Sequence, residues 1–143
     1  MVVPCYNEAQ RLDSETFRRF IECTPDIKFL FVNDGSQDAT LKVLEQLRQG
    51  LEPSVTILDK HKNGGKGEAV RDGMLYAFDK QHAEIAGFWD ADLATPLDAI
   101  HDLAQVLTSR PEIQMVFGSK YSYSDARLSV SLCAIIWAGS LPR

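Results

Sequence analysis

The strongest constraint on this chain is a series of short apolar runs. Each breaks off on polar or glycine residues, and the runs alternate with stretches of helical periodicity. Lys28–Asn33 (KFLFVN) is nearly continuous in apolar side chains, as a strand covered on both faces must be, and it stops at the turn signal Asp34-Gly35-Ser36. Val2-Val3 opens a first strand that Pro4 is expected to end, and Val55–Leu58, Ile85–Trp89 and Ile113–Phe117 supply three more. Between them lie four helical patterns. Residues 14–23 carry Phe17, Phe20 and Ile21 behind a Ser14 cap, and residues 38–49 carry Leu41, Leu44 and Leu47 with Gly50 as the stop. Residues 69–80 carry Val70, Met74, Ala77 and Phe78. Residues 96–109 carry Ile100, Leu103, Ala104 and Leu107, with Pro96 in the first turn. Five strands and four helices in alternation predict an α/β fold, a mostly parallel sheet with helices on both faces.

A chain of 143 residues fits one domain. The formal charge of −5 argues against a nucleic-acid partner, which calls for a basic face. Cys5, Cys23 and Cys133 have neither zinc-like nor CxxC spacing, so a reducing, cytoplasmic setting is expected. Met1 is followed by Val2-Val3-Pro4 without the basic segment of a signal peptide. The apolar run Val130–Leu141 is shorter than the ~20 residues a membrane span needs. From Tyr121-Ser122-Tyr123-Ser124-Asp125 onward the alternation is lost. The expected domain is therefore residues 1–120, with residues 121–143 an aberrant tail.

Ligands of open parallel sheets bind beyond the carboxyl ends of the strands, and there this sequence collects its polar residues. The first strand ends on Tyr6-Asn7-Glu8, the second on Asn33-Asp34-Gly35-Ser36 and the fourth on Asp90-Ala91-Asp92, while Gly64, Gly65 and Gly67 follow the third. Asp90 and Asp92, two apart on extended chain, would point the same way and share a divalent cation with a diphosphate. The plainer alternative has Asp92 capping the next turn and Asp90 solvated. Asp34, an acceptor only, suits a base with an N–H edge such as uracil or guanine. It would serve equally as cap of the helix starting near Gln37, unless Asp38 or Ser36 caps it instead. Lys60, Lys62, Lys66 and Arg71 crowd the glycine loop, which lets backbone approach an anion at a helix N-terminus or else is a solvated basic turn. His61, His82 and His101 share no metal-ligand spacing and read as surface residues. Ser36 and Cys5 have no visible base, and no Ser/His/Asp or Cys/His arrangement exists.

Taken together, Val3–Glu8 (VPCYNE), Val32–Ser36 (VNDGS), Asn63–Arg71 (NGGKGEAVR) with Gly73-Met74, and Trp89–Asp92 (WDAD) resemble family 2 glycosyltransferases. The likeness runs from residue 1 to about residue 120 and is strongest to the branch that moves sugars onto dolichyl or other polyprenyl phosphates. It implies the nucleotide-sugar-binding half of a GT-A fold, with a Rossmann-like sheet. Pro4, Tyr6 and Glu8 would line the base pocket and Asp34 would bind the base. Lys66 would lie near the ribose or diphosphate, Asp90 by the ribose and metal, and Asp92 on the metal. It further implies Mg2+ or Mn2+, a UDP- or GDP-sugar donor, and a polyprenyl or dolichyl phosphate acceptor at the cytoplasmic face of a membrane. Ala94 stands where relatives of dolichyl-phosphate mannose synthase often carry glutamine, which leaves glucose as plausible as mannose. The family's catalytic base has no match here, so the isolated chain is expected to be inactive. Codons exist for Tyr121–Arg143 that, read one base earlier, spell a basic segment followed by Arg-His-Tyr-Leu-Gly-Arg. This resembles what bacterial relatives with the Asp90–Pro96 motif carry, so the tail is expected to be frame-shifted. Two other functions fit a nucleotide-binding α/β domain: a sugar nucleotidyltransferase, which would carry a glycine-rich loop after the first strand where Pro4–Glu8 has none, and a nucleotide-binding module without turnover.

Overall fold

In the computed structural model the backbone is described for residues 1–120 and 131–138, and side chains for residues 1–118. The element order is β1 (Val2–Cys5), α1 (Ser14–Cys23), β2 (Phe29–Asp34), α2 (Thr40–Arg48), β3 (Val55–Lys60), α3 (Lys66–Asp79), β4 (Ile85–Trp89), α4 (Ala99–Ser109), β5 (Met115–Lys120) and β6 (Ser131–Ala138). They build one sheet in the order β3-β2-β1-β4-β6-β5. The ladders β1–β2, β2–β3 and β1–β4 are parallel, and β6 runs antiparallel to both β4 and β5.

Residue alternation in β2 explains the two layers. Phe29 and Phe31 point to one face and Leu30 and Val32 to the other, and all six residues of the strand are buried. The first face receives Phe17 and Ile21 of α1, Leu44 and Leu47 of α2, and Ile100 and Leu107 of α4. Phe17 meets Phe29 and Phe31 edge-on, with centroids 5.9 and 5.2 Å apart. Full burial of each such side chain contributes about 1.5–3 kcal/mol. The second face is covered by α3 through Ala69, Met74 and Ala77. Gly73 makes that approach close: a Cβ there would lie 2.4 Å from Val2 Cγ1 and 2.9 Å from Val32 Cγ2.

The α/β class, the parallel core and the helices on both faces match the sequence expectation. Four details differ. Pro4 does not end the first strand but lies inside β1, opposite Val32. Leu30 N donates to Met1 O, so alternation turns Val3 and Cys5 toward β2, and Val2 and Pro4 toward β4. There β1 pairs at Val2 alone, and the ladder has opened before the missing N–H of Pro4 would be needed. Asp13, not Ser14, caps α1, accepting from Thr16 N at 3.0 Å. Helix α3 begins at Lys66, inside the glycine loop, and α4 begins only at Ala99, after a turn in which Ala99 N bonds Pro96 O. Last, residues 131–138, assigned from sequence to the aberrant tail, form β6, between β4 and β5. The register pairs Phe88 with Ile135 and Phe117 with Ile135, which makes the end of the sheet mixed rather than parallel. Tyr121–Asp125 lies outside the described residues.

Candidate functional site

Strand order reverses beside β1, whose neighbours β2 and β4 lead to opposite halves of the sheet. The crevice beyond the carboxyl ends at such a switch point is where open α/β sheets take ligands. The segment leaving β1 crosses toward β2 and is tied there. Asn7, at φ 52, donates its N–H to Ser36 Oγ at 3.0 Å and accepts from Gln37 N at 2.9 Å. Glu8 N donates to Thr40 Oγ1 at 2.8 Å and Ala9 N to Asp38 Oδ2 at 3.2 Å. Asn tolerates left-handed backbone better than other side chains do, and here the side chain closes the turn that the backbone opens. Glu8 is thereby held with Oε1 on Arg11 Nη2 at 2.7 Å, while Oε2 is buried without a hydrogen-bond partner among the described residues.

Asp34 is only 2% exposed, and its carboxylate is crowded with donors. Gly64 N lies 3.1 Å from each oxygen, Gly65 N 2.8 Å from Oδ2, and Lys60 Nζ 3.0 Å from Oδ1. Burial alone would raise its pKa. The Gly64 and Gly65 N–H groups and the Lys60 ammonium outweigh burial and hold the carboxyl below its usual range. Lys60 also meets Asp72 at 2.9 Å and Glu68 at 3.3 Å, both from α3. Burial opposes its charge, but Asp72, Asp34 and Glu68 keep it protonated well above the ordinary lysine range. Asp34 is therefore not the cap of α2, whose N-cap Ala39 has no side-chain cap; Asp38 Oδ1, one residue earlier, accepts Thr40 N at 2.9 Å. The glycine loop wraps the same spot. Gly35, at φ +66, runs so close beneath it that a Cβ would lie 2.5 Å from Asn63 N.

Beyond β4 the chain turns at once, with Leu93 N donating to Asp90 O at 3.3 Å and Leu93 at φ 53. The expectation that Asp90 and Asp92 align on extended chain is corrected: a turn, not strand alternation, carries both to the crevice. The Asp92 side chain accepts Ala94 N at 3.0 Å, so the capping alternative describes one of its oxygens. Trp89, fully buried, fixes this turn through Nε1–H to Thr95 O at 2.9 Å. Asp90 Oδ1 is buried without a regular hydrogen bond and faces Lys66 Nζ at 2.6 Å. Lys66, the first residue of α3, also lies over the Phe88 ring, 5.7 Å from its centroid.

One cleft of about 430 Å³ is lined by Pro4, Tyr6, Glu8, Asp34, Lys66, Asp90 and Asp92 together, every residue singled out for nucleotide-sugar or metal binding. Of the basic residues near the glycine loop Lys66 lines it and Lys60, Lys62 and Arg71 do not; Lys60 is consumed by three carboxylates. Arg11 and Asn63 also line it and were not anticipated. The Asn63 side chain donates to Asp34 O at 3.2 Å, and Arg11, three residues past Glu8 in a turn, had no periodicity to mark it. Cys5 lines the cleft but is buried, and burial, with the charge of Glu8, pushes its thiol pKa far above the ordinary value, which disfavours the thiolate. His61, His82 and His101 are exposed, as expected. Among the described residues no group of three or more His, Cys, Asp or Glu side chains could hold a metal ion. Two carboxylates, one with a buried oxygen lacking a regular hydrogen bond, fit instead a cation that keeps water and phosphate oxygens as its other ligands, as Mg2+ and Mn2+ do.

The sequence profile described as Glycosyl transferase family 2 matches residues 1–135. The chain belongs to that family. Similar proteins include the dolichyl-phosphate beta-glucosyltransferase of Drosophila melanogaster, 41% identical over 105 residues, covering 66% of this chain and 31% of the relative. The bactoprenol glucosyl transferase of Shigella phage SfV is 32% identical over 131 residues, covering 90% of this chain and 41% of the relative. The mannosyltransferase PcManGT of Pyrobaculum calidifontis, solved with GDP-Man and Mn2+, superposes with a TM-score of 0.63 at 21% identity, over 80% of this chain and 33% of that one. The GT-A fold expected from the motifs is thus that of this family 2 chain, its relatives include enzymes named for lipid-phosphate acceptors, and the nucleotidyltransferase alternative falls away. The chain spans well under half the length of these relatives. No helix among the described residues is long and apolar enough to cross a membrane.

Proposed function

We propose that this chain forms the donor-binding half of an inverting glycosyltransferase that moves glucose or mannose from a UDP- or GDP-sugar to a polyprenyl or dolichyl phosphate. The observation that carries the proposal is the single cleft at the switch point, which gathers acceptor groups, an ammonium and a carboxylate pair from four separate loops. Pro4, Tyr6 and Glu8 form the wall against which a base would lie, with Tyr6 44% exposed as a ring still free to be covered. The orphaned Glu8 Oε2 offers an acceptor to a base N–H edge, and Asp34, whose oxygens are already bonded to Gly64, Gly65 and Lys60, would exchange one of those donors for the base. Lys66, at the N-terminus of α3, adds charge and free backbone N–H groups for a diphosphate. Asp90 and Asp92 would hold Mg2+ or Mn2+, which when bound supplies Lewis-acid stabilisation of the departing nucleoside diphosphate.

The lipid-phosphate acceptor rests on what the named relatives act on. Such an acceptor would bring the complete protein to the cytoplasmic face of a membrane. A hydroxyl acceptor would need a general base, whereas a phosphate is already ionised. The resemblance matches no residue of this sequence to the family's base, and on that ground we propose that the 143 residues alone turn over no donor. Calorimetry with UDP, GDP, CDP and ADP in the presence of Mn2+ tests the site. UDP or GDP should bind best, and Asp34→Ala should flatten the preference. A variant that keeps full selectivity would remove the base role from Asp34. Transfer to polyprenyl phosphate by the purified chain would overturn the expectation of inactivity.

A further inference from the structure

The ion pair between Lys66 and Asp90 occupies the oxygen that a metal would need. Asp90 Oδ1 is buried, has no regular hydrogen bond, and faces the Lys66 ammonium at 2.6 Å. Asp92 has one oxygen committed to Ala94 N. With no third His, Cys, Asp or Glu in reach among the described residues, a divalent cation arriving alone must displace an ammonium to gain at most two carboxylates. Lys66 is 57% exposed on a flexible stem, against 24% for Asp90, so the partner free to move is the lysine. The same cleft is where a diphosphate would lie.

We infer that Lys66 is an internal stand-in for the metal and a coupling residue between metal and diphosphate. Resting on the reading of Asp90 as a metal ligand, the inference is that Lys66 pairs with Asp90 in the empty cleft and transfers to the diphosphate when nucleotide enters. That exchange frees Asp90 for the cation and brings the missing oxygen ligands at the same moment. Metal and nucleotide therefore bind synergistically, each raising the affinity for the other by one factor. Lys66 enters the coupling twice, by blocking the metal in the absence of diphosphate and by holding the diphosphate in its presence.

Removing the ammonium has opposite effects on the two ligands. In the purified 143-residue chain, Lys66→Met should bind Mn2+ alone at least about fivefold more tightly, the lower end of ordinary coupling, and UDP or GDP more weakly. Lys66→Arg should keep the wild-type order. Electron paramagnetic resonance counts free Mn2+ without nucleotide, and calorimetry reads UDP and GDP at saturating Mn2+. If Lys66→Met leaves Mn2+ affinity unchanged or lowers it, the lysine is a phosphate ligand only and the exchange is refuted. Asp90→Asn separates the two levels. If it leaves Mn2+-assisted nucleotide binding intact, the metal role itself is wrong. If it abolishes that binding while Lys66→Met fails to tighten Mn2+, only the exchange is wrong.

Discussion

Replacing Lys60 by methionine tests the electrostatic support beneath the site. The substitution keeps most of the side-chain volume and removes one ammonium, leaving Asp34, Glu68 and Asp72 facing one another, with Asp59 nearby through Asn33. Removing one partner of a buried pair costs about 3–5 kcal/mol, because the other charge stays buried. Lys60 is 14% exposed and the Asp34 side chain 3%, which places that contact in the buried regime. Glu68, at 57%, is screened by solvent and adds little. The expected loss is therefore at the lower end, about 3 kcal/mol, read as a lower urea midpoint with unchanged slope. The pH dependence should reverse sign. Wild-type Asp34 has a depressed pKa, so its contribution is full above about pH 4 and is lost as acid protonates it. Without the ammonium the three carboxylates repel, so Asp34 protonates more readily and Lys60→Met should lose less, relative to wild type, at pH 4.5 than at pH 7. A loss below about 1 kcal/mol at pH 7, the range of exposed pairs, or a pH-independent difference, would refute this account of the hub.

Gly73→Ala should destabilise by about 1–3 kcal/mol in urea unfolding, since the new methyl meets Val2 and Val32 within 3.0 Å; a neutral result would mean that α3 can move off the sheet. Trp89→Phe removes the Nε1–H bond to Thr95 O and should cost about 1 kcal/mol, with a further loss of Mn2+-dependent nucleotide affinity because the Asp90–Asp92 turn loosens. Unchanged nucleotide binding would show that the turn needs no such anchor. Sequencing the coding DNA after Lys120 tests the proposed frame change. Bases that, read one position earlier, encode no basic segment would end that idea.

Strand β2 was legible because double-sided burial leaves an unbroken apolar run, and α1 because Phe17, Phe20 and Ile21 fall on one face. The cleft was legible because its residues sit at strand ends, where topology rather than local preference collects them. What escaped was decided by partners distant in sequence. Pro4 reads as a strand breaker, and only the limited pairing of β1 with β4 shows why it is tolerated. Lys60 looks like one more cation of a basic loop until the fold sets Asp34, Glu68 and Asp72 around it. β6 carries the apolar run Cys133–Trp137, yet its place between β4 and β5 depends on pairings that no local pattern encodes.

The central claim is a metal-assisted nucleotide site built on Asp90 and Asp92. Its most direct measurement is the affinity of the purified chain for UDP and GDP, titrated once with Mn2+ and once with chelator. The account predicts that a nucleoside diphosphate binds at least about tenfold more tightly with Mn2+, within the usual span of coupled ligands. It also predicts that Asp92→Asn erases most of that gain while the circular dichroism spectrum is unchanged. Equal affinity with Mn2+ and with chelator, or a full gain retained by Asp92→Asn, would contradict it.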